Sequence, residues 1–265
     1  MVDARELADL AVEIAREAGE LARRRRGEGV AIAATKSALA DIVTEADREV
    51  ELLIRDRIAA ARPDDGFLGE ESGAERGESG LTWVVDPIDG TVNYAYGIPH
   101  YAVSIAVVEG EPDPQAWDAL AGVVYTPVVD ELFRASAGDG AWLGATRLTV
   151  SEPTDAGALL ATGFGYDPAT HAGDLARLGR IMPIARDIRR AGAASLDLAY
   201  VAAGRLDGYV ERGLQPWDHA AGALLVTEAG GAATGMPGER PGRTMTIAAS
   251  AALHSRLAER VFHES

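Results

Sequence analysis

Cysteine is absent from this 265-residue chain. No disulfide, thiolate nucleophile or zinc–sulfur site is therefore open to it. Lysine is almost absent as well: 24 of the 25 basic residues are Arg, and Lys36 is the single lysine. Coding in a GC-rich genome would make that exchange wherever either cation serves, and it leaves Lys36 as the one compact ammonium. No apolar run reaches the roughly 18 residues of a membrane-spanning helix. Met1 to Leu10 carries Asp3, Glu6 and Asp9. It lacks the basic stretch and apolar core of a secretion leader, so a cytoplasmic location and no membrane partner are expected. Cations are also scarce against anions, 25 − 41 = −16 in formal charge. Sequence-independent grip on a nucleic-acid backbone needs clustered cations, so no nucleic-acid partner is expected. What is present, 47% hydrophobic and 25% charged residues, is the composition of an ordinary globular protein.

Residues 3–26 read as a helix, because Leu7, Leu10, Ala11, Ile14, Ala18 and Leu21 recur at three- and four-residue spacing. Asp3 fits its N-cap, Arg23 to Arg26 its C-terminal end, and Gly27 its stop. A second helix spans about 45–61, opened by Thr44 as cap and Asp47 as its acidic N3 residue. Short apolar or alternating runs follow at 81–85, 102–108, 121–125, 132–135 and 141–143, the last after a Gly138-Asp139-Gly140 turn. From about 155 the pattern changes. Strands are expected at 158–162, 186–189, 207–211 and 245–249, and helices at 172–181, 193–203, 217–229 and 251–261. The reading is an antiparallel α+β half over 1–150 and an α/β half over 151–265, packed as one compact unit.

The most informative segment is Trp83-Val84-Val85-Asp86-Pro87-Ile88-Asp89-Gly90-Thr91. An apolar strand runs into Asp86, and Pro87, lacking an N–H, is expected to end ladder pairing. Two carboxylates beside a glycine, with the Ile88 carbonyl freed by the turn, can hold a hard cation such as magnesium or calcium. Asp-Pro and Asp-Gly are also common turn residues, so this segment alone leaves an ordinary loop open. Gly69-Glu70-Glu71-Ser72 adds a second acidic pair. Pro216-Trp217-Asp218 opens a helix, where an acid is favoured by the dipole whatever its function.

Four stretches together resemble the inositol monophosphatase family, within the lithium-sensitive, magnesium-dependent phosphatase superfamily that includes fructose-1,6-bisphosphatase. They are Asp41-Ile42-Val43-Thr44-Glu45-Ala46-Asp47; Gly69-Glu70-Glu71-Ser72; Asp86-Pro87-Ile88-Asp89-Gly90-Thr91 with Asn93; and Trp217-Asp218-His219-Ala220-Ala221-Gly222 leading to Glu228-Ala229-Gly230-Gly231. The joint match runs from about residue 36 to 231. It implies a layered αβαβα sandwich and hydrolysis of a phosphomonoester, with myo-inositol monophosphate as the leading substrate. Histidinol phosphate, fructose-1,6-bisphosphate or a nucleotide phosphate would use the same chemistry. A silent metal-binding scaffold is the reading from another class.

The resemblance also implies roles. Glu70, Asp86 and the Ile88 carbonyl match ligands of the tightest of two or three Mg²⁺ ions; Asp86, Asp89 and Asp218 match those of the second. Glu70 would also hold the water completing a third, weaker site. Thr91 and Asp47 match the pair that orients and deprotonates the attacking water. Gly90 and Thr91 would offer backbone N–H groups to the phosphate. Glu211 matches the residue that binds polyol hydroxyls, and Gly192, Ala193 and Ala194 the loop lining the sugar ring, with Asp89 and Asp218 also near substrate. Ala193 stands where many relatives carry Ser or Thr. Lys36 is expected to face the site. Val92-Asn93, in place of a lysine after Thr91, resembles the inositol phosphatase branch. Histidines are not expected as ligands, and Trp217 is expected to pack the helix start. Relatives are commonly homodimers, which is the expected assembly.

Overall fold

A computed structural model describes residues 3–29, 32–35 and 42–262. Lys36, Asp41 and His263 lie outside them. Helix α1 (Ala4–Glu28) is capped by Asp3, whose side chain accepts from the Arg5 N–H. It passes through Gly27 and stops at Gly29, whose φ of 108° only glycine adopts without strain. Strands β1 (Ile32–Thr35) and β2 (Ile42–Thr44) pair antiparallel and lead into α2 (Glu45–Ala61).

Eight strands form the first sheet: β3 (Gly66–Gly69), β4 (Gly73–Glu75), β5 (Leu81–Asp89), β6 (Ala102–Glu109), β7 (Asp118–Thr126), β8 (Glu131–Ser136), β9 (Gly140–Leu143) and β10 (Thr146–Arg147). Their order is β10-β9-β8-β7-β6-β5-β3-β4. A short helix, α3 (Thr91–Tyr96), follows β5 directly. The second sheet, ordered β12-β11-β13-β15-β14, takes β11 (Ala158–Thr162), β12 (Ala185–Arg189), β13 (Gly208–Glu211), β14 (Ala232–Thr234) and β15 (Thr246–Ala249). Helices α4 (His171–Ile181), α5 (Ala194–Ala202), α6 (Pro216–Glu228) and α7 (Ala251–Phe262) alternate with these strands.

Three apolar clusters stack these parts into five layers. Val50, Ile54 and Ile58 of α2 and Leu7, Ala11 and Ile14 of α1 cover Trp83, Val85, Val103, Ile105 and Val123 on one face of the first sheet. Leu196, Leu198 and Val201 of α5 and Leu224, Leu225 and Val226 of α6 lie between the sheets. They touch Val84, Ala106, Val124 and Phe133 on one side and Tyr209 and Ala248 on the other. Ile181 of α4 and Leu253, Leu257 and Val261 of α7 close the outer face of the second sheet. The result is the αβαβα sandwich. Central strands are buried on both faces, which is why they read as continuous apolar runs rather than alternations. Among the described residues no helix is long and apolar enough to cross a membrane.

Candidate active site

Glu70 and Asp86 are brought together by strand direction. In the first sheet β3 pairs parallel with β5, Gly69 opposite Val85, so both strands leave at the same end. The Glu70 N–H donates to the Val85 carbonyl at 3.2 Å, and the two acids follow side by side. The loop after β3 is then fixed from α2. Glu51 is buried and accepts from the Glu71 N–H at 2.8 Å and the Ser72 N–H at 2.7 Å.

Asp86 and Asp89 are brought together by a bulge. A strand sends residues three apart to opposite faces. Here Asp86 faces Ser104 and Asp89 faces Ala102, so three steps on β5 match two on β6. The extra residue restores a common side, and both acids line one cavity. The strand therefore does not end at Pro87, as the sequence reading expected. Proline is tolerated at a bulge because no ladder N–H is needed there. Ile88 turns its side chain into the core.

Two more acids are helix-capping residues with one oxygen to spare. In α2 the Thr44 N–H and hydroxyl donate to Asp47 Oδ2 at 2.8 and 2.5 Å. In α6 the Gln215 N–H donates to Asp218 Oδ2 at 2.7 Å. The other oxygen of Asp47 lies 3.2 Å from the Thr91 hydroxyl, which is also 3.0 Å from the Ile88 carbonyl. Asp47 is thus both a cap and a partner of Thr91.

Asp89 is clasped from the second half of the chain. The Ala194 N–H, the Ser195 N–H and the Ser195 hydroxyl donate to it at 3.2, 2.7 and 2.5 Å. The hydroxyl missing at Ala193 thus has a counterpart two residues on, directed at a carboxylate. Asn93 closes the junction by donating to the His100 and Ala191 carbonyls, both at 2.8 Å. Gly90 sits inside that junction at φ 91°. A Cβ there would lie 3.0 Å from the His100 carbonyl and 3.2 Å from Ala193 Cβ.

Glu70, Asp86, Ile88, Asp89, Gly90, Thr91 and Asp218 line one cavity of about 630 Å³, together with Trp217. Trp217 also packs against the apolar layer between the sheets. An adjoining cavity, sharing Asp89, Gly90 and Asp218, is lined by Gly192, Ala193, Ala194, Glu211, Gly163 and Phe164. Every described member of the predicted site is therefore in or beside this pair of cavities. Asp47 reaches it through Thr91. The sequence reading missed Glu51 and Ser195, and also Arg190, Arg212 and Arg243, which line these cavities. Of these, only Ser195 had a signal, the displaced hydroxyl.

The electrostatics suit cations. Burial, then Glu70, Asp89 and Asp218, pushes Asp86 well above the usual carboxylate range. Burial, then Asp89 and Glu70, does the same to Asp218. Burial also raises Asp89, against the Ser195 hydrogen bonds that favour its charged form. Burial lifts Asp47 to about 6. Glu211 is lifted by burial to about 7, while the Tyr209 hydroxyl donates to it and opposes the shift. Carboxylate and carbonyl oxygens are the donors that magnesium selects. Among the described residues, no three acidic or histidine side chains already converge enough to hold an ion by themselves. The acids ring the cavity instead, so a divalent cation would relieve their repulsion as it drew them in. His219 is buried and pushed down to about 4, hence neutral, and His100 Nε2 lies 3.6 Å from Asp197.

A sandwich of this layering with an acid-ringed cavity at the strand ends defines a phosphatase of known class. Residues 3–265 match the model of the inositol monophosphatase family, and the chain belongs to that family. An inositol-1-monophosphatase of Rhizobium meliloti (strain 1021) is 41% identical over 235 residues, 88% of this chain and 86% of that protein. The Nus factor SuhB of Escherichia coli (strain K12) is 43% identical over 227 residues, 84% of this chain and 82% of that one. The crystal structure of the extragenic suppressor protein suhB from Bartonella henselae superposes with a TM-score of 0.88 at 38% identity, over 98% of this chain and all of that one.

Proposed function

We propose that this phosphatase releases inorganic phosphate from myo-inositol monophosphate with two or three Mg²⁺ ions. The observation that carries the reading is that Glu70, Asp86, Asp89 and Asp218, from three separated segments, line one cavity with Thr91. Magnesium, held by these acids and the Ile88 carbonyl, would supply the positive charge that lets a phosphate dianion enter and lowers the barrier to its transfer. The chain's own groups do the rest. Gly90 and Thr91 present backbone N–H groups at the start of α3 to a phosphate oxygen. Thr91 shares one hydroxyl proton between Asp47 Oδ1 and the Ile88 carbonyl. A cation held on that carbonyl would leave Asp47 as the acceptor of the proton. The threonine oxygen can then accept from water while Asp47 takes up the proton. Glu211 orients a polyol hydroxyl, and Gly192, Ala193 and Ala194 form the wall against the ring.

Phosphate release with and without a chelator is the direct test. Turnover of inositol monophosphate that needs Mg²⁺ is the expected result. No turnover of any phosphomonoester in excess Mg²⁺ would overturn the reading and favour a silent scaffold. Lithium sensitivity, a homodimer and a cytoplasmic location belong to the same reading and rest on family membership.

A further inference from the structure

Helix α5 starts without a cap of its own. Ala193 holds the N-cap position in extended backbone, and its methyl group cannot accept from the first turn. The first N–H groups of a helix have no partners within it, and a buried start must find them elsewhere. Here Asp89 supplies them across 105 residues of sequence. The Ala194 N–H donates to its Oδ1 at 3.2 Å and the Ser195 N–H to its Oδ2 at 2.7 Å. Asp89 thus caps α5 from another strand while it lines the cavity.

The Ser195 hydroxyl adds a third bond to this carboxylate. It is fully buried and donates to Oδ2 at 2.5 Å. Oδ2 therefore takes two close donors, and Oδ1 takes one long one. The terminal torsion of an aspartate is soft, so two N–H groups alone leave the carboxylate room to turn. A hydroxyl bond to a charged oxygen is of the stronger kind and holds Oδ2 on the helix. Oδ1 keeps the larger unused acceptor capacity. Ser195 itself lines neither cavity.

We propose that Ser195 is a positioning residue, which fixes Asp89 so that Oδ1 is the oxygen offered to the cation of Asp86, Asp89 and Asp218. The proposal rests on the magnesium reading above and adds to it a group that acts on that ion only through Asp89. Loss of a group supporting a metal ligand usually weakens metal binding 10- to 100-fold, and with two N–H bonds remaining the lower figure applies.

Calorimetric titration of the intact chain with Mg²⁺, without substrate, reads this apart from turnover. Ser195→Ala keeps a good helix former and both N–H bonds. It should raise the Kd of the second, weaker Mg²⁺ about ten-fold and leave that of the tightest within about two-fold. Ser195→Gly also removes the hydroxyl and loosens the helix start besides. It should melt lower than Ser195→Ala in chelator, yet match its two Mg²⁺ Kd values within about two-fold. A second Kd that follows the melting temperature instead would make Ser195 a packing residue and overturn the proposal. So would an unchanged Kd in Ser195→Ala, or a tighter one, which would show the hydroxyl competing with the cation. No Mg²⁺ binding by the natural chain would overturn this proposal and the magnesium reading together. The expected Kd shift without phosphate release from any phosphomonoester would uphold Ser195 and sink the phosphatase reading alone.

Discussion

The Thr91 hydroxyl stands 3.2 Å from Asp47 Oδ1 across 44 residues of sequence. The contact joins the first turn of α2 to the first turn of α3, and it depends on Asp47 spending only Oδ2 on its cap. A base must be ionised to accept a proton, and burial holds the free Asp47 acid near about 6. The acid limb of the pH–rate profile is therefore expected at or below about 6, since bound cations favour the ionised form. The Thr44 hydroxyl bond lowers that value. Thr44→Val should move the limb to higher pH, and loss of the cap should cost about 1 kcal/mol of stability. Profiles of the two proteins in saturating Mg²⁺ check this. An unmoved limb would detach it from Asp47.

Asp86 offers a test in which stability and activity move oppositely. Its acid is raised in the folded protein by burial and by Glu70, Asp89 and Asp218. A raised acid binds its proton more tightly folded than unfolded. Its contribution is thus fully present below the unfolded value near 4 and is lost as pH rises through the folded one. At neutral pH without metal, holding these acids buried together opposes folding. Asp86→Asn keeps an oxygen for the Ile88 N–H, which now donates to Asp86 at 3.1 Å, and removes one repelling charge. We expect the metal-free variant to melt a few degrees higher at pH 7, at about 2–4 °C per kcal/mol. The gain should vanish near pH 4. Turnover should drop by at least about a hundredfold because a cation ligand is lost. Melting curves in chelator at both pH values, beside a phosphate-release assay, check the two halves. A lower melting point at pH 7 would contradict the electrostatic account.

Much of this architecture was legible in the sequence because it is local. The cap at Thr44 and Asp47, the run from Leu81 into Asp86 and the acid opening α6 are each fixed by neighbours within a few residues. The helices and most strands follow from periodicity for the same reason. What escaped is non-local. The parallel pairing of β3 with β5, which sets Glu70 beside Asp86, has no signature in Gly66–Gly69 itself. The bulge at Pro87 depends on the register of β6. Ser195 faces Asp89 only because Asn93 ties the start of α3 to the loop before α5. Arg212 and Arg243 are 31 positions apart in an arginine-rich chain, and only the pairing of β13 with β15 makes them neighbours.

Glu51 belongs to that hidden set. It is buried, and it accepts from the Glu71 and Ser72 backbone N–H groups. A Cβ on Gly69 would fall 2.5 Å from its carboxylate, so the strand end is molded closely around it. Its work is to hold Glu70 in place. Glu51→Gln turns one accepting oxygen into a donor facing an N–H. The Mg²⁺ concentration for half-maximal activity should rise about 10- to 100-fold, as is usual when a group supporting a metal ligand is lost. A magnesium activation curve, with calorimetric titration of the metal, checks this. A changed kcat with an unchanged magnesium requirement would place Glu51 outside the cation site.

Gly163 tests the substrate end without touching the acids. It follows β11, and a Cβ there would lie 2.1 Å from Glu211 Oε2. The contact is with the end of a flexible side chain, so the carboxylate would yield and the strand would stay. Gly163→Ala should therefore push Glu211 off the position from which it can meet a polyol hydroxyl. An aryl phosphate has no such hydroxyl. The kcat/KM ratio of inositol monophosphate to an aryl phosphate should fall about ten-fold, the order expected for a hydrogen bond to a charged group. Glu211→Gln should shift the ratio in the same direction while leaving the magnesium requirement in place. Rates for both compounds on all three proteins check the prediction. A ratio that stays constant while both rates fall would show that Glu211 supports the fold of the cavity rather than reading the polyol.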